Sequence, residues 1–103
     1  ASPEQARNEK KFITFKSDFF ALGAIVYELL TGSNPFMESR TDPAYIVLER
    51  VQNFSPPSLK DLNKASSSFS DLVEQLMAKQ PYQRHRTIDG LRSELILLLK
   101  KEA

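Results

Sequence analysis

The sequence has 103 residues, 41% of them hydrophobic and 26% charged, which suits one small globular domain of ordinary composition. A formal net charge of +1, with basic stretches no longer than Lys10-Lys11 and Arg84-His85-Arg86, leaves no footprint for nucleic acid or an anionic lipid surface. The absence of cysteine excludes a disulfide scaffold and a thiolate metal site.

Residues 1–16 are polar with scattered aromatics, and read as an ordered loop in which Pro3 restricts the backbone before a short helix or turn. Ala1-Ser2-Pro3-Glu4-Gln5 has no basic stretch followed by an apolar core, so no signal peptide is visible. It also lacks an initiating Met, which suggests a processed chain or a fragment. Ser17 or Asp18 suits the N-cap of a first long helix over 19–30. Leu22, Ile25, Val26, Leu29 and Leu30 supply its apolar spacing, while Phe19, Phe20, Ala24 and Tyr27 fill the other faces. A helix apolar all round is buried in a core or a membrane, and the run falls short of the ~20 residues a bilayer requires. Gly32 sits where helices end in a left-handed residue.

Asn34-Pro35-Phe36 reads as a turn. Asp42 suits the cap of a second helix with Pro43 at its first position, carrying Tyr45, Ile46, Leu48 and Val51 as apolar residues. Residues 52–68, with Pro56-Pro57 and a serine run, read as a loop anchored by Leu59 and Leu62. A third helix is expected over 68–79 from Phe69, Leu72, Val73, Leu76 and Met77. Thr87 suits the cap of a fourth, from Ile88 to about Lys100, with Ile88, Leu91, Leu95 and Leu98 as its stripe. No repeat and no strand pattern is present, so the expectation is an all-α chain of about four helices with long irregular connections.

Three stretches, in order, carry a family resemblance. Ser2-Pro3-Glu4-Gln5 resembles the motif that closes the activation segment of a protein kinase. Residues 17–32, Ser-Asp-Phe-Phe-Ala-Leu-Gly-Ala-Ile-Val-Tyr-Glu-Leu-Leu-Thr-Gly, followed by Pro35-Phe36, resemble the central buried helix of the kinase large lobe. Residues 76–84 resemble the segment ending in that family's structural arginine. The resemblance covers nearly the whole chain and implies the C-terminal part of a large lobe, spanning 1–103 from the end of the activation segment through the last helices. The pattern is similar to serine/threonine rather than tyrosine kinases, which usually carry Trp in the central helix. Phe20, Ala21 and His85 depart from common family residues.

The sequence has no Gly-x-Gly-x-x-Gly loop, no His-Arg-Asp catalytic loop and no Asp-Phe-Gly magnesium motif. No catalytic, cofactor-binding or metal-binding residue is therefore expected here; ATP and Mg would belong to the parent, if it is an active kinase. The resemblance implies structural roles for Pro3, Glu4, Asp18, Gly23 and Arg84. Glu4 and Arg84 would form a buried pair, since a guanidinium can grip a carboxylate with two hydrogen bonds. Asp18 would accept hydrogen bonds from an upstream catalytic loop, and Gly23 would admit a neighbouring backbone. Taken from the residues alone, Glu4 and Arg84 read as surface charges and Asp18 as an N-cap. The lone His85 reads as a structural or surface histidine, with Asp89 its nearest carboxylate in sequence. Glu38 and Asp42 could meet a basic peptide, or simply face solvent.

The expected function is a fragment of a serine/threonine protein kinase whose complete form transfers the ATP γ-phosphate to protein Ser/Thr. The alternative is a non-catalytic pseudokinase module that binds or regulates. Expected partners are the remainder of the kinase domain and, for the parent, a protein substrate. The expected location is the cytoplasm or the cytoplasmic side of a membrane protein.

Overall fold

The computed structural model describes residues 2–8 and 15–102, and Lys10, Lys11, Phe12 and Ile13 lie outside them. Among the described residues five α-helices follow in order: α1 (Pro3–Ala6), α2 (Phe15–Thr31), α3 (Ala44–Asn53), α4 (Ser67–Leu76) and α5 (Ile88–Glu102). A 3₁₀ turn, Pro81–Gln83, precedes Arg84. The architecture is all-α, with no strand among the described residues and long connections at 54–66 and 77–87.

The short α1 lies inside the stretch read as a loop. Ser2 Oγ accepts from the Gln5 N–H at 3.4 Å, and the Gln5 side chain accepts from the Ser2 N–H at 2.8 Å, so two orphan donors are satisfied reciprocally. Pro3 occupies the first turn, where its missing N–H costs nothing.

Helix α2 begins at Phe15, earlier than the expected cap at Ser17 or Asp18. Neither residue caps it. Ser17 is buried and gives its hydroxyl to Glu4, while Asp18 is exposed in the first turn, where a negative charge suits the helix dipole. The other end behaves as expected, with Gly32 at φ +79° after Thr31. Helix α3 also departs from expectation: its N-cap is Pro43, with no side-chain bond. The Asp42 carboxylate instead takes the N–H groups of Glu38 and Ser39 at 2.8 and 3.2 Å, fixing the loop before the helix. Ser66 caps α4, accepting from the Phe69 N–H at 3.3 Å, and Thr87 caps α5, accepting from the Gly90 N–H at 3.0 Å.

Two apolar clusters meet on α2. Phe19 and Tyr27 pack with Leu59, with Leu72, Val73 and Leu76 of α4, and with Leu91 and Leu98 of α5. Phe20 packs with Phe36 and with Val51 of α3, its ring stacked on that of Phe36 at 5.8 Å between centroids. The expected stripe on α2 is not the buried one. Leu22, Ile25 and Leu29 are 41, 54 and 78% exposed, because the aromatics rather than the aliphatics face the neighbouring helices. Of the two proposed loop anchors, Leu59 is buried and Leu62 is exposed.

Gly23 marks the closest approach of α2 to the end of α4. A Cβ built there would lie 2.9 Å from Leu76 Cβ and 2.7 Å from Met77 Cγ. Met77 can bend away, but the Leu76 Cβ cannot move without its helix. Alanine within an exposed helix normally gains about 1 kcal/mol over glycine. Here Gly23→Ala is expected to lose about 1–3 kcal/mol by overpacking. Denaturant unfolding checks this, and a stabilised variant would show that α2 and α4 are not in close contact.

Candidate functional site

Glu4 and Arg84 stand 80 residues apart in sequence, and both side chains are fully buried. The capped first turn of α1 aims Glu4 inward, while the 3₁₀ turn delivers Arg84, whose N–H bonds to Pro81 O at 3.1 Å. Arg84 Nη1 donates to Glu4 Oε2 at 2.7 Å and Nη2 to Glu4 Oε1 at 2.9 Å, a fork-to-fork contact.

A guanidinium has five N–H donors, and all five are used. The other three go to backbone carbonyls: Nε to Ala78 at 2.9 Å, Nη1 to Lys16 at 2.9 Å, and Nη2 to Lys79 at 3.5 Å. Its Cζ lies over the Phe20 ring, 5.1 Å from the centroid. On the acidic side, Ser17 Oγ donates to Glu4 Oε2 at 2.7 Å. One arginine thereby joins α1, the start of α2 and the connection after α4.

Burial alone would push the Glu4 carboxyl up, but the hydrogen bonds from Arg84 and Ser17, with the Arg84 charge, outweigh it and hold the group at about 2. Beside the pair, Lys79 Nζ donates to Val51 O at 2.8 Å and to Phe54 O at 2.6 Å, closing the C-terminal end of α3. Nζ also sits 4.7 Å from the Phe36 ring centroid. Burial, then the nearby Arg84 charge, pull the Lys79 ammonium down to about 8.

The remaining residues singled out from sequence go to separate places. Pro3 is buried in the first turn of α1, Gly23 packs against the end of α4, and Asp18 is exposed and takes no part in the Glu4–Arg84 cluster. His85 is buried with its ring edge-on to Phe19, and its Nε2 meets Glu94 Oε2 at 2.7 Å rather than Asp89. Asp42 is occupied by Arg50 Nη1 at 2.8 Å, with Glu38 3.9 Å from the same guanidinium. Asp42 is thus already engaged within the chain, whereas the Glu38 side chain faces solvent.

Sequence reasoning missed the contributions of Ser17, Lys79 and Arg50. Ser17 read equally well as a cap, and the other two resemble ordinary surface cations until their neighbours are seen. Chemically, the cluster holds rather than reacts. A carboxylate near 2 is a poor base, and the Ser17 hydroxyl donates to an acceptor already committed to Arg84. No three His, Asp or Glu side chains gather for a metal among the described residues.

The Glu4 shift has a pH signature. Its folded value near 2 lies below the ordinary 4.5, so its contribution to stability is complete above about 4.5 and is lost as pH falls towards 2. The shift corresponds to on the order of 3 kcal/mol. Denaturant midpoints between pH 6 and 2 should fall steeply, and Glu4→Gln should start lower and fall less. Parallel profiles for the two chains would contradict the assignment.

The protein kinase domain family matches residues 1–96. The serine/threonine-protein kinase PknB of Mycolicibacterium smegmatis is 30% identical over 99% of this chain and 16% of its own length. The serine/threonine-protein kinase PrkC of Bacillus subtilis is 32% identical over 91% of this chain and 14% of that protein. The MAP kinase kinase kinase wis4 of Schizosaccharomyces pombe is 31% identical over 98% of this chain and 7% of that protein. The chain thus spans about a sixth or less of these relatives. With an all-α fold and the family match across residues 1–96, this chain belongs to the protein kinase domain family.

Proposed function

We propose that this chain is the C-terminal part of the large lobe of a serine/threonine protein kinase, running from the end of the activation segment through the last helices. In its complete form that kinase transfers the γ-phosphate of ATP to Ser or Thr of a protein substrate. ATP and Mg are held by segments outside this chain, and the chain itself supplies scaffold and part of the substrate-facing lobe. The observation that carries the reading is the saturated Glu4–Arg84 pair, an anchoring device rather than a reaction centre, which joins the two motif-bearing ends of the chain. The relatives named above support the serine/threonine type.

The apolar face of α2 supports a partner within the same domain. Leu22, Ile25 and Leu29 recur at i, i+3 and i+7 and stay exposed, as a helix does when it lacks a neighbour on that side. The remainder of the kinase domain is the partner proposed for it. No described helix is long and apolar enough to cross a membrane. The cytoplasm, or the cytoplasmic side of a membrane protein, is the setting proposed for the parent.

Calorimetric titration with ATP-Mg and a phosphotransfer assay, run on the 103-residue chain and on a polypeptide extended to the complete kinase domain, test this. The short chain should show neither binding nor transfer, and the extended one should show both. Micromolar binding with turnover by the short chain would overturn the assignment, and an extended polypeptide without transfer would identify a non-catalytic module.

A further inference from the structure

We draw no further inference here: the strongest candidate, the exposed apolar patch of Ile96, Leu97 and Leu99 along the last turns of α5, carries none because nothing in the structure shows what covers it.

Discussion

A buried guanidinium is tolerable only when every one of its donors is answered, and that requirement organises this chain. Removing an arginine from water costs several kcal/mol, which its partners must return. Glu4 supplies the opposite charge and the carbonyls of Lys16, Ala78 and Lys79 supply the remaining acceptors. The acceptors come from three separate stretches of chain. Satisfying Arg84 therefore places α1, the start of α2 and the turn after α4 together, and each is constrained by the others. Ser17 adds to the same joint, its hydroxyl donating to Oε2 of Glu4.

Around this polar joint the apolar clusters divide the work. The α4 and α5 side of α2 is closed by Phe19, Tyr27 and their neighbours, and the α3 side by Phe20, Phe36 and Val51. Lys79 bridges the second cluster to the end of α3, with its ammonium over the Phe36 ring. The chain's Cα extents are 41 × 31 × 16 Å, so its thin dimension is only about two helices deep, with axes roughly 8–10 Å apart and a Cα radius of about 2.3 Å. A layer that thin cannot surround α2, which explains why one face of an otherwise apolar helix remains open. Chemistry follows the same division. The tightest polar cluster is saturated and inert, while the open surfaces are where another segment or molecule can bind.

Much of this was legible from residues. The long helices, the left-handed Gly32, the Thr87 cap and the all-α class follow from periodicity and local chemistry, which act over a few residues. The cap positions of α2 and α3 were misread for a shared reason. Ser17, Asp18 and Asp42 are good cap types, but tertiary partners claimed Ser17 and Asp42, and α2 started before either of the first two could act. The α2 stripe was misread because nearly every position is apolar, so periodicity could not choose a face; the packing of aromatics against α4 and α3 chose it instead. Long-range pairs such as His85 with Glu94 and Lys79 with the end of α3 carry no local signature at all. The Glu4–Arg84 contact was suggested by family resemblance, whereas its five-donor saturation appears only with the backbone carbonyls in place.

A double-mutant cycle on Glu4→Gln, Arg84→Met and the double variant, by denaturant unfolding at pH 7, measures the joint directly. If each charge depends on the other, each single change should cost about 3–5 kcal/mol by stranding a buried group. The double variant should then lose less than the sum, with a coupling of at least about 1.5 kcal/mol. Losses that add within about 0.5 kcal/mol would show that the two residues act independently and that the fold does not rest on their pairing.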